Sequence, residues 1–81
     1  MSVKKEKLNG KMIEVSVKST SIKSAAYDTI YQKMMVTFNN GTTYAYREVP
    51  VQLFTKFRLA KSQGQYFNKY ISRNFQYKKV K

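Results

Sequence analysis

Met34 to Tyr46, MMVTFNNGTTYAY, is the longest-reaching constraint in this chain: thirteen residues without a charge, in a sequence where 25% of residues are charged. Met34, Val36 and Phe38 alternate with smaller or polar residues, and so do Tyr44 and Tyr46 across Asn39-Asn40-Gly41. Period-two alternation on either side of an Asn-Gly turn predicts a β-hairpin. Its register has two solutions. A two-residue turn on Asn40-Gly41 pairs Phe38 with Thr43 and sets Tyr44 and Tyr46 opposite Val36 and Phe38. A three-residue turn, with Gly41 left-handed in a bulge, pairs Val36 with Tyr44 and Met34 with Tyr46. A slip of one residue moves both tyrosines from one face to the other. Both solutions are open at this level.

Eighty-one residues make one domain with a small core. The chain has no cysteine and no histidine, so neither disulfides nor thiolate-metal sites support it. Seven Tyr and five Phe must supply most of the core, together with Met, Ile, Leu and Val. The first ten residues, MSVKKEKLNG, have no apolar run of the kind a signal peptide needs. No stretch approaches the roughly 18 apolar residues of a membrane span. A soluble, cytoplasmic protein is expected.

In chain order, residues 1–10 are expected as a flexible basic lead and residues 11–81 as the folded domain with a basic C-terminal end. Met12–Val17 is a strand with Ile13, Val15 and Val17 on one face. Ser19-Thr20-Ser21 is a turn. Ile22–Tyr31 reads as an irregular strand that turns near Asp28, whose carboxylate bonds nearby backbone. Lys33–Phe38 and Thr42–Arg47 are the hairpin strands. Pro50 suits a first helical turn, and Leu53, Phe54, Phe57 and Ala60 continue at helical spacing to about Lys61. Ser62-Gln63-Gly64 breaks that helix. A second runs from about Gln65 to Arg73, with Phe67, Tyr70 and Ile71 inward. Asn74–Lys81 alternates apolar and polar residues, and either adds an edge strand or extends as a basic tail. The fold class is therefore α+β: a small antiparallel sheet of three to four strands followed by two helices packed on one face.

With these pieces in place, the chain resembles the KTSC family, the domain named for the C-terminus of some lysyl-tRNA synthetases. The matching pieces begin with Ser19-Thr20-Ser21-Ile22, Tyr27-Asp28 and Met34-x-Val36-x-Phe38-x-x-Gly41. They continue with Tyr44-x-Tyr46-x-x-Val49-Pro50, Ala60-x-Ser62-x-Gly64-x-Tyr66-Phe67-Asn68, and Ile71 through Phe75 and Tyr77. Their order and spacing, over roughly residues 17–80, carry the resemblance. Ala26 stands where the family usually has glycine, and Ser72 where a basic residue is common. The resemblance implies a small bacterial or phage protein, with RNA binding as the usual suggestion for its role.

The residues themselves argue against catalysis. Acid–base work at neutral pH most often uses histidine or paired carboxylates; here Glu6, Glu14, Asp28 and Glu48 are scattered. Lys61 and Ser62 form no recognisable nucleophile site. There is no Walker loop or dinucleotide-binding glycine motif. No enzyme activity, metal or cofactor is expected.

The charge pattern points elsewhere. The net charge is +12, and residues 49–81 hold eight basic residues and no acidic one. A one-sign segment attracts polyanions. The expected function is a non-catalytic nucleic-acid-binding module, for RNA or single strands. Its contacts are Lys56, Arg58, Lys61, Lys69, Arg73, Lys78 and Lys79, with Lys81 at the end. Tyr66, Tyr70, Phe75 and Tyr77 interleave with them. Tyr44 and Tyr46 are a further candidate, since paired aromatics on a strand can stack unpaired bases; the small core argues that they cover it instead. The alternative is a protein-interaction module, a phage or bacterial regulator docking on an acidic host surface. Ser62, Gly64 and Asn68 read as helix-break and capping residues. A monomer is expected, with edge-strand dimerisation as the other option.

Overall fold

A computed structural model describes residues 3–9, 12–17 and 19–81. Five antiparallel strands come first: β1 (Val3–Asn9), β2 (Met12–Val17), β3 (Ile22–Asp28), β4 (Lys33–Phe38) and β5 (Thr43–Tyr46). Helix α1 (Val51–Leu59) follows, then a short α2 (Gln63–Tyr66) that runs on into a π-helical segment, Phe67–Ile71. A three-residue strand, β6 (Tyr77–Lys79), closes the chain. Sheet order equals chain order, β1 to β6.

The α+β class, the antiparallel sheet and the two helices agree with expectation; the number of strands does not. The expected three to four strands are six: the N-terminal edge was expected as a flexible basic lead, and of the two options for Asn74–Lys81 the edge strand is the one found. The stretch VKKEKLN, expected within a flexible lead, pairs with β2. Tyr77–Lys79 pairs with β5. Charged side chains on an edge strand deter further pairing, so the edges look least like strands. The expected boundary between residues 10 and 11 lies outside the described residues.

Register sorts the two faces. One cross-strand row reads Ile13, Tyr27, Met34, Tyr46, Tyr77, and a second reads Val15, Ala25, Val36, Tyr44, Lys79. These rows face the helices, and Phe54, Phe57, Phe67 and Ile71 close over them. The opposite face carries Glu14, Ala26, Met35, Ala45 and Lys78 in one row, and Ser16, Ser24, Thr37 and Thr43 in the next. No helix of the described residues covers it, and its small and polar residues suit a face left open.

The hairpin takes the three-residue turn. Phe38 N–H donates to Thr42 O at 2.8 Å, and Gly41 N–H to Phe38 O at 2.9 Å. Gly41 has φ +92°, and Asn40 Oδ1 accepts from Thr42 N–H at 2.9 Å. The left-handed glycine is what lets Val36 pair with Tyr44 and Met34 with Tyr46. At the other turn, Asp28 Oδ1 accepts from the N–H groups of Ile30 and Tyr31, as a turn carboxylate should.

Tyr27 ties sheet to helix. Its ring stacks on Phe54 at 4.9 Å, and its hydroxyl donates to Val49 O at 2.6 Å. Val49 N–H reaches Gln32 O at 2.9 Å, so the link from β5 to α1 is bonded through both groups of one residue. Pro50 lies one position before the first helical turn, and its carbonyl accepts from Leu53 N–H. The helix ends at Leu59, two residues sooner than expected, because Ala60 is extended.

Tyr70 corrects the expected inner face of the second helix: it is 41% exposed, while Phe67 and Ile71 are buried. Ser72 N–H bonds to Phe67 O, a five-residue step. A π turn takes more residues than an α turn, so the third residue after Phe67 falls short of the inner face and the fourth reaches it.

Candidate nucleic-acid interface

The acid-free C-terminal segment does not form one continuous basic surface. Lys56 and Arg58 stand in the last turn of α1, where cations oppose the helix dipole favourably. Arg58 is half-buried, and its carbonyl accepts from Gln63 Nε2 at 3.3 Å. Lys61 is exposed at the junction of the two helices. Lys78 pairs with Ala45 on the open sheet face, whereas Lys79 pairs with Tyr44 on the helix-bearing side.

Lys69 and Arg73 stand about one helical turn apart beside exposed aromatics. Lys69 Nζ lies 5.3 Å from the centre of the Tyr70 ring, within cation–π range. After Ile71 the chain turns, with Asn74 Nδ2 donating to Tyr70 O at 2.8 Å. Gln76 O then accepts from Arg47 N–H and brings the chain into β6. Arg73, Asn74, Phe75, Gln76 and Tyr77 line a shallow groove of about 520 Å³. Tyr77 is 59% exposed. Its ring packs edge-on against Tyr44 and tilted against Tyr46, with centroids 5.5 Å apart in both cases. A ring fixed on one side and open on the other is suited to receive a base.

The structure places the two candidate stacking residues of the hairpin differently. Tyr46 is only 4% exposed and lies edge-on to Phe67 at 5.3 Å. Tyr44 is half-buried between Phe38 and Tyr77. Neither points to the open sheet face, whose rows carry no aromatic residue. The open ring in this cluster is Tyr77, which sequence reasoning grouped with the interleaved aromatics without ranking it. Its signal is the alternation of Phe75, Tyr77 and Lys79 read as an edge strand.

Burial also sets the titration of Tyr46. Loss of solvent, chiefly, and the neighbouring Tyr77 and Tyr44 phenols push its pKa up to about 12, against a hydrogen bond from Ser72 that lowers it. Tyr27 and Tyr66 are raised too, mainly by burial. The folded state thus holds protons that the unfolded chain releases from pH 10 upward. The stability contribution is complete below pH 10 and drains away as pH rises towards 12. Urea midpoints measured across that window should fall steeply, and Tyr46→Phe should flatten the fall.

A second polar cleft, of about 380 Å³, joins the Ser19-Thr20-Ser21 turn to Lys61, Ser62, Gln63, Gly64, Gln65 and Asn68. Ser62 does cap the second helix, its Oγ accepting from Gln65 N–H at 3.4 Å. That it also faces a turn some forty residues away has no local sequence signal. No three acidic, cysteine or histidine residues group as metal ligands among the described residues, and no helix there is long and apolar enough to cross a membrane.

Comparison with known proteins gives concordant matches. The KTSC domain model matches residues 18–75. A protein of Tsukamurella paurometabola is 36% identical over 59 residues, covering 73% of this chain and 88% of its own. A lysine–tRNA ligase of Trichormus variabilis is 34% identical over 59 residues, 73% of this chain but 10% of the ligase. The crystal structure of a KTSC domain protein from Yersinia pestis superposes with a TM-score of 0.80 at 31% identity, covering 86% of this chain and 99% of that one.

Proposed function

The chain belongs to the KTSC domain family, and from that premise we propose that it is a cytoplasmic, non-catalytic module that binds RNA or single-stranded nucleic acid. The observation that carries this reading is the shallow groove at Arg73–Tyr77: a half-open aromatic ring and a basic residue border it together, within a segment that contains no acid. Lys69 and Lys79 flank it in sequence and stand exposed. Tyr77 offers stacking worth about 1–3 kcal/mol per base. The cations supply phosphate contacts that position the strand without reading its sequence. Lys56, Arg58, Lys61 and Lys78, set elsewhere on the domain, contribute to the long-range field. Similarity to part of a lysine–tRNA ligase is in keeping with this reading, since by its name that enzyme works on RNA.

Labelled single-stranded RNA, double-stranded RNA and DNA should be titrated across salt. Single-stranded RNA is expected to bind below about 10 µM near 100 mM salt, weakening steeply as salt rises. Failure of all three probes to bind at that level rejects the proposal.

Ile30 and Tyr31, exposed by 63% and 66% at the β3–β4 turn, favour a second reading in which the domain docks on a protein, and the net charge of +12 makes an acidic surface the fitting partner. Under that reading a tagged bait retains one stoichiometric protein after nuclease digestion. Under the RNA reading, digestion empties the pull-down.

A further inference from the structure

The sheet face that no described helix covers has a self-complementary pattern. Its middle row runs Glu14, Ala26, Met35, Ala45, Lys78 from β2 to β6. An acid stands at one end, a base at the other, and an alanine on each side of a central methionine. We infer that this face binds a second copy of the chain, about a two-fold axis that runs along β4 between the two sheets.

The charges select the axis. A two-fold along β4 keeps the strand direction and reverses the strand order, which is the aligned way of stacking two sheets. Glu14 of each copy then meets Lys78 of the other, Ala26 meets Ala45, and Met35 meets Met35. A two-fold contact between identical chains requires this reciprocity. A two-fold across the strands sets Glu14 on Glu14 and Lys78 on Lys78 instead, and like charges repel. The neighbouring rows accept the axis along β4. Ser24 meets Thr43, and Thr37 meets Thr37. Asp28 and Lys33 pair across β3 and β4, so each copy's Lys33 comes to lie one strand over from the other's Asp28.

The make-up of the face suits burial against itself. Two of the chain's four acids, Glu14 and Asp28, lie on it, so acid is concentrated where two copies of net charge +12 come together. The three central positions of the middle row carry no charge. The Thr37 and Thr43 hydroxyls bond each other at 2.9 Å, so both enter an interface already satisfied. Small side chains beside Met35 leave a shallow cavity of about 450 Å³, bordered by Ser16, Ser24, Ala26, Met35 and Thr43. Methionine is unbranched and flexible and fills irregular gaps of this kind; here the second copy's Met35 supplies it. Tyr77 and Lys79 lie on the other side of β6 from Lys78, so the groove stays open in the dimer. The patch is small. Three rows on strands about 4.8 Å apart offer less than the roughly 800 Å² per partner of a stable complex, so the dimer is weak and reversible.

Sedimentation equilibrium of the full-length protein from about 10 µM to 1 mM reads the association. The average mass should rise from that of one chain towards that of two. Raising salt from about 50 to 500 mM should strengthen the dimer, because screening relieves the repulsion between exposed charges more than it weakens buried pairs. Glu14→Lys and Lys78→Glu should each weaken it about tenfold or more, since each change creates two like-charge contacts. The double variant leaves the net charge unchanged and should dimerise like the parent. An equimolar mixture of the two single variants should do the same, as a heterodimer. Met35→Lys should abolish association. Thermal melts at low concentration check that each variant is folded, since Glu14 also lies opposite Lys7 of β1. A protein that keeps the mass of one chain up to 1 mM overturns the inference. So does a dimer that neither the double variant nor the mixture rescues. A dimer indifferent to all three substitutions uses a sheet edge or another surface, and overturns it equally.

Discussion

Tyr46→Ala should destabilise the domain by about 3–5 kcal/mol, the usual cost of emptying a buried aromatic site. A domain of this size has a total stability of only about 4–12 kcal/mol, so the variant should melt at least 10 °C or so below the parent. The physical reason is position. Tyr46 lies in the row Ile13, Tyr27, Met34, Tyr46 and meets Phe67 edge-on from the helical side. Removing it opens a void where sheet and second helix meet. It also withdraws one of the two rings on which Tyr77 rests. Thermal denaturation followed by circular dichroism measures the loss. A Tyr46→Ala protein that melts with the parent but no longer binds RNA would show that this tyrosine is a contact residue instead.

Lys69→Glu combined with Arg73→Glu should have the opposite profile. Both side chains are exposed, so stability should change by no more than about 0.5 kcal/mol. RNA affinity near 100 mM salt should fall roughly 10- to 100-fold, and the slope of log affinity against log salt should lose about two phosphate contacts. Reversal places two carboxylates beside a phosphate backbone and ends the acid-free character of residues 49–81. Fluorescence anisotropy at several salt concentrations measures both quantities. An unchanged slope would mean that phosphates are held elsewhere on the domain.

These two predictions divide what the sequence made legible from what it did not. The hairpin was readable as a hairpin, since alternation and Asn-Gly are local signals. Its register was not, because one turn residue decides it and Gly41 is compatible with either turn. The Asp28 turn and the Ser62 cap were readable because a short polar side chain bonds its own neighbours. Tyr70 was misplaced because the helical period was assumed constant, and the π segment changes it. Strand β1 was hidden by its lysines, whereas β6 was one of the two options that the alternation of Asn74–Lys81 left open. At the candidate site, the basic-aromatic segment was visible as composition, yet composition does not show that Lys78 and Lys79 fall on opposite faces. Nor does it show that Tyr77 is the ring left open. The cleft between Ser19 and Ser62 depends on tertiary packing alone.

The proposed contact surface is the C-terminal groove, not the sheet face or the YxY pair. Backbone amide shifts of the labelled protein during titration with single-stranded RNA locate that surface residue by residue. The largest changes should cluster from Lys69 to Lys79. Changes centred on Met35, Thr37 and Ala45 of the open sheet face, with the groove unmoved, would contradict that placement.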